Sequence, residues 1–136
     1  MTEQLSPLAL QALAVVEESG AIISANHAYP HTIRHKGRID LVTETDIAVE
    51  AFLKERLATL APQAGFLAEE SAEDLSLPDT CWIIDPVDGT TNFAHGLPLT
   101  VTSVAYRLNG EIVLGIVNAP LLRECFIAEK GKGAWR

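Results

Sequence analysis

Leu8, Ala12, Val15, Val16, Ser19, Ile22 and Ile23 recur at helical spacing behind Ser6-Pro7, a cap followed by proline in the first turn. This predicts a helix from Ser6 to about Asn26. Residues 27–40 lose the spacing and read as a polar loop. A second stripe, Val49, Phe52, Leu53, Arg56, Leu57 and Leu60, predicts a helix over about 45–60, closed by Pro62. The period then changes. Short apolar runs at about 65–69 and 81–85 read as strands, and 100–108 with 111–118 reads as a hairpin, because Asn109-Gly110 is a strong type I′ turn signal. Pro120 sets these apart from a last strand at 124–129, ahead of a glycine-rich turn at 130–133. Helices followed by strands predict a layered α/β fold, α+β in its order of elements. With no repeat, low-complexity segment or linker, residues 1–136 read as a single unit.

The candidate chemistry is concentrated in residues 82–92, W-I-I-D-P-V-D-G-T-T-N. An apolar strand runs into two aspartates three positions apart. Pro86 cannot donate a hydrogen bond and fixes its own φ, so the chain is expected to leave the sheet between the two acids. Such a turn can aim Asp85, Asp88 and the carbonyl of Val87 at one point, and three hard oxygen donors suit a magnesium ion. Gly89 lets the backbone approach a ligand closely. Thr90 and Thr91 stand where a short helix would begin, with free N–H groups and a positive dipole end that suit a phosphate. Metal beside phosphate suggests metal-assisted phosphate-ester hydrolysis.

Plainer readings compete. Asp-Pro and Asp-Gly are ordinary turn dipeptides that could mark a bare strand exit. A calcium loop of the EF-hand type fails, since counting from Asp85 the glycine comes too early and the twelfth position is Gly96. Two further acidic elements lie upstream. Glu69-Glu70 ends the 65–68 strand, where at most one of the pair faces the same side as Asp85, and for an isolated pair a solvated strand end is the better reading. Thr43 with Asp46 resembles a capping box, yet capping does not explain why the segment follows the basic, glycine-containing loop at 35–40.

Taken in order, L-V-T-E-T-D (41–46), G-F-L-A-E-E-S (65–71), W-I-I-D-P-V-D-G-T-T-N-F (82–93) and A-E-K-G-K-G-A-W (128–135) resemble the inositol monophosphatase family of magnesium-dependent, lithium-sensitive phosphatases. The resemblance runs from the first helix onward and covers about the N-terminal half of a typical member. It implies an αβαβα sandwich, of which this chain supplies the N-terminal helices and a largely antiparallel sheet. It also implies roles. Glu69, Asp85 and the Val87 carbonyl would bind a first metal, and Asp85 would bridge to a second that Asp88 also serves. Thr90, with Glu69 or Asp46, would orient and activate the attacking water. Gly89 and Thr90 would hold phosphate oxygens through their N–H groups, beside Asp88 and Thr91, and Lys36 would lie on a mobile loop nearby.

The implied cofactor is Mg2+, as two or three ions, with Mn2+ able to substitute and Li+ and Ca2+ inhibitory. The implied substrate is a small phosphate monoester, inositol monophosphate above all. Sugar bisphosphatases and nucleotide-bisphosphate phosphatases are the alternatives within the superfamily, and a non-catalytic metal-binding or assembly module is the alternative outside it. The family's Trp-Asp motif, which completes its second metal site, has no counterpart among the 136 residues. A missing second layer would expose an apolar face or sheet edge, so a homodimer is expected.

Composition adds to this picture only at the margins. With 48% hydrophobic residues, 21% charged and a mean hydropathy of +0.18, the chain reads as globular and somewhat apolar, as a face made for packing would leave it. The net charge of −8 argues against a nucleic-acid surface. No apolar stretch is read as approaching the length of a membrane span and M-T-E-Q-L lacks a basic, apolar signal region, so no membrane and a cytoplasmic setting are expected. Cys81 and Cys125 have no metal spacing and read as buried or half-buried thiols without a disulfide. His27, His31 and His35 would form a zinc face on a helix, but Pro30 breaks it and favours scattered histidines, with His95 at the surface.

Overall fold

Two long helices, α1 (Pro7–His27) and α2 (His35–Leu60), pack on one face of a six-stranded sheet in the computed structural model, which describes residues 4–27, 35–68 and 78–136. The strands are β1 (Gly65–Ala68), β2 (Cys81–Asp88), β3 (Val101–Leu108), β4 (Glu111–Ala119), β5 (Glu124–Glu129) and β6 (Gly133–Trp135), in that spatial order. β1 runs parallel to β2, and β2 to β6 form an antiparallel meander, so the sheet is largely antiparallel as expected. A single helical turn, α3 (Thr90–Ala94), separates β2 from β3.

The period-2 alternation of the strands divides the sheet into two faces. Trp82, Ile84, Val104, Tyr106, Leu114, Ile116 and Ile127 point to the helices and form the core with Val16, Ile23, Val49, Leu53 and Leu57. Trp82 is fully buried, its ring 4.4 Å from that of Tyr106. The opposite face carries Ile83, Ala105, Val117 and Phe126 with no layer over it among the described residues, and Val117 and Phe126 are 37% and 41% exposed. This is the open apolar face that the sequence led us to expect.

The hairpin forms as read. Leu108 pairs with Glu111, and Asn109 (φ 52) and Gly110 (φ 83) both take the positive φ that a type I′ turn requires. The N-cap also holds. Ser6 Oγ accepts the Ala9 N–H at 3.1 Å, while the Glu129 carboxylate receives the Ser6 N–H at 2.8 Å and the Ser6 hydroxyl at 2.5 Å. That pair of bonds ties the start of α1 to the end of β5.

Three readings need correction. α2 begins at His35, well before Thr45, so the segment 35–40 is helical and Thr43 lies inside the helix and not at its start. Tertiary packing extends it: Leu41 and Val42 rest on the core, and Asn26 of α1 donates to Thr45 Oγ1 at 2.6 Å while that hydroxyl donates to the Leu41 carbonyl. Second, α1 is by length and composition apolar enough to cross a membrane, which the sequence reading missed. Its stripe of Ala9, Ala12, Val15, Val16, Ser19, Gly20 and Ile23 is buried on the sheet, as in a core helix of a layered fold. Third, β2 continues to Asp88 and does not leave the sheet at Pro86. The glycine-rich turn at 130–133 is followed by the extra strand β6. His31 lies outside the described residues, and His95 is exposed as expected, its Nδ1 2.8 Å from the Thr91 carbonyl.

Both cysteines are free thiols, Cys81 buried and Cys125 half-buried. Burial, aided by the Glu17 carboxylate, pushes the Cys125 thiol from an ordinary 9.0 up to about 11, and burial also raises Cys81. A raised value favours the neutral thiol, so at pH 8 Cys125 should carry about a hundredfold less thiolate than an unperturbed cysteine. Iodoacetamide labelling followed by peptide mass analysis should show correspondingly slow modification at pH 8, accelerating as pH rises toward 11. Packing gives a second expectation. At Gly20 an added Cβ would lie 2.8 Å from Asn118 Nδ2 and 2.9 Å from Pro120 Cβ, a rigid ring. Gly20→Ala should therefore cost about 1–3 kcal/mol in a denaturant unfolding measurement, as overpacking does.

Candidate functional site

β2 lies between β1 and β3, and its C-terminal end is where the pairing pattern breaks. Asp85 pairs with Ser103 and Asp88 with Val101, three steps along β2 against two along β3. One residue is therefore extra, and the strand carries a β-bulge. Pro86 explains its position, because it has no N–H to give the ladder. The carbonyl of Pro86 accepts a buried hydrogen bond from Thr102 Oγ1 at 2.8 Å.

The bulge decides which way the acids point. In a regular strand, residues three apart face opposite sides of the sheet. Here the register places Asp85 opposite Ser103 and Asp88 opposite Val101, two residues that share one face of β3. Both carboxylates thus stand on the face that α1 and α2 leave open. Asp85 is half-buried and Asp88 exposed, and Val87 between them is buried.

Immediately after Asp88 the chain turns into α3. Gly89 sits at its N-cap with φ 90 and ψ 38. An added Cβ there would meet the Leu99 carbonyl at 2.7 Å, and the same carbonyl accepts Asn92 Nδ2 at 2.8 Å. The Phe93 N–H closes the turn on the Gly89 carbonyl at 3.0 Å. Phe93 anchors it from below, buried and 6.1 Å from the His27 ring, whose Nε2 lies 3.1 Å from the Gly96 carbonyl. The amides of Thr90 and Thr91 fall in the first turn, where a helix has no partner of its own for them. The expected short helix at Thr90 is therefore present, with Thr90 half-buried and Thr91 exposed.

The other sequence candidates divide. Asp46 is 7% exposed, on α2 in the helical layer and not before the helix. Lys36 belongs to the first turn of α2 and not to a loop. β1 ends at Ala68, opposite Ile84, and Glu69 lies outside the described residues. Among the described residues no group of three or more His, Cys, Asp or Glu side chains gathers closely enough to hold a metal. What the bulge does bring to one face is Asp85 and Asp88, and with the Val87 carbonyl between them they are oxygen donors whose chemistry would fit Mg2+ and not a soft metal. Sequence reasoning missed Thr102. Its signal was the T-V-T at 100–102, which puts hydroxyls at the two positions preceding Val104 and Tyr106 on the core face.

Residues 4–136 match the sequence profile of the inositol monophosphatase family. The chain belongs to that family. An inositol monophosphatase from Dictyostelium discoideum is 44% identical over 128 residues, covering 91% of this chain and 47% of the relative. A fructose-1,6-bisphosphatase/inositol-1-monophosphatase from Thermotoga maritima is 44% identical over 96 residues, covering 71% and 37%. The solved structure of the extragenic suppressor protein suhB from Bartonella henselae superposes with a TM-score of 0.79 at 33% identity, covering 96% of this chain and 51% of that one. The inositol monophosphatase fold is thus shared, and the chain spans about half the length of the relatives it matches.

The geometry at Gly89 generates a direct test. A side chain there meets both an unfavourable backbone region and the Leu99 carbonyl, so Gly89→Ala should lose about 1–3 kcal/mol of stability or more. Thermal unfolding of the metal-free protein measures it.

Proposed function

We propose that this chain carries the metal- and phosphate-binding part of a Mg2+-dependent phosphomonoesterase, acting on a small phosphate monoester with inositol monophosphate as the leading candidate. One observation carries the reading: the bulge at Pro86 turns Asp85 and Asp88 to the same face, directly beside the helix start at Gly89 and Thr90. Family membership supports the same reaction class. Glu69, Asp85 and the Val87 carbonyl would hold one ion, and Asp85 with Asp88 would contribute to another.

Bound Mg2+ supplies the Lewis acidity that activates water and offsets the charge of the phosphate. The chain's own residues do the rest. Backbone N–H groups of Gly89 and Thr90 hold phosphate oxygens, with Thr91 beside them. The Thr90 hydroxyl, paired with Glu69 or Asp46, would orient the attacking water, and the water's proton would pass through that hydroxyl to the carboxylate. Lys36, on the first turn of α2, is a candidate contact for the ester. The open apolar face around Val117 and Phe126 supports a covering layer there, from a second half of the enzyme or a partner copy in a homodimer.

A sugar bisphosphate is the second substrate class, favoured by the relative from T. maritima that is named for both activities. Phosphate release from inositol 1-phosphate and from fructose 1,6-bisphosphate, with and without Mg2+, separates the two. Asp85→Asn and Asp88→Asn should each lower Mg2+-dependent release at least about a hundredfold, the loss of several kcal/mol of charge stabilisation. Asp88→Asn should not lower the melting temperature of the metal-free protein, since Asp88 is exposed and the change removes one of two like charges. Full activity in Asp88→Asn would refute the assignment. A folded, Mg2+-binding protein that hydrolyses neither ester would point to a non-catalytic module.

A further inference from the structure

We propose that Thr102 is a positioning residue for this site, setting the aim of the Asp85–Asp88 donors through the backbone of Pro86. The inference rests on the metal-dependent reading above and deepens it. Thr102 is fully buried on β3, on the side of the sheet that faces the helices. Asp85 and Asp88 stand on the other side. Thr102 therefore touches neither ion nor ester, and whatever it contributes passes through the chain between them.

That chain has an unusual freedom. A bulge leaves its extra residue out of the ladder, and a proline there has no N–H with which to rejoin it. The Pro86 carbonyl and the Val87 N–H share one rigid peptide plane. The hydrogen bond from Thr102 Oγ1 to that carbonyl, 2.8 Å long and buried, fixes the plane. With the plane fixed, the Val87 carbonyl and the two carboxylates on either side lose a common rotation. Metal geometry tolerates little such rotation, since Mg2+ demands near-ideal octahedral placement of its oxygens.

Thr100 supplies the comparison. It lies two residues earlier on the same side of β3's entry, 1% exposed, and its Oγ1 is buried without a hydrogen bond. Removing its hydroxyl makes the same chemical change without touching the bulge.

The experiment is Mn2+ binding followed by the electron paramagnetic resonance of the free ion, together with thermal unfolding in EDTA. It is run on the unsubstituted protein, Thr102→Val, Thr102→Ser and Thr100→Val. Thr102→Val should weaken Mn2+ binding about tenfold, the worth of one buried hydrogen bond. Thr102→Ser should restore it to within about twofold, and Thr100→Val should leave it unchanged. Should Thr102→Val fail to fold, Thr102→Ala removes the same hydroxyl without placing a second methyl in the core. Unchanged affinity in the folded hydroxyl-less variant, whatever its melting temperature, would overturn the proposal. Equal weakening in Thr100→Val would overturn it too. Absence of Mn2+ binding by the unsubstituted protein would instead refute the metal reading itself, and this inference with it.

Discussion

A proline inside a paired strand must surrender one rung of the ladder, and in β2 that loss falls between the two aspartates. The strand absorbs it by taking in one extra residue, so that Asp85 and Asp88 both come to lie over one face of β3. Had the register stayed regular, the two carboxylates would have stood on opposite sides of the sheet. The positions of Gly89 and α3 follow, since the chain must turn at once after Asp88 and the Leu99 carbonyl occupies the space where a side chain at 89 would go. Site and strand geometry are the same problem here.

The helical layer holds this arrangement from behind. α1 and α2 cover the core face of β2 to β5, and two close contacts fix where they sit. At one end Glu129 grips the cap of α1 through Ser6, and in the middle Gly20 lets α1 approach Asn118 and Pro120. His27 and Phe93 join the end of α1 to the turn of α3. The backing of the site is thus made of apolar contacts and a few buried hydrogen bonds, with Asp46 and Glu129 as acids on the helical side and Asp85 and Asp88 on the open one.

Much of this was legible from the chain. Helix stripes, the Asn109-Gly110 turn and the D-P-x-D-G-T-T run each encode a local rule, and local rules fixed the hairpin, the cap at Ser6 and the helix start at Thr90. What escaped depended on distant partners. Nothing near His35 announces a helix; Leu41, Val42 and Thr45 extend it by packing on α1 and the core. The expected exit at Pro86 was wrong for a similar reason, because Thr102, sixteen residues away, satisfies the carbonyl that the proline strands. Asp46 was readable as an acid of interest but not as a buried one, since burial is a property of the assembled layers.

The two faces of the sheet also bind its folding to its chemistry. Val117 and Phe126 share the open face with Asp85 and Asp88, so any layer that shelters the apolar pair also closes over the acids. Bringing such a layer in against uncompensated carboxylates costs desolvation and repulsion, whereas a divalent cation removes both costs. On the proposed metal-dependent reading, cation uptake and closure of this face would be thermodynamically linked, each raising the affinity of the other by the same factor.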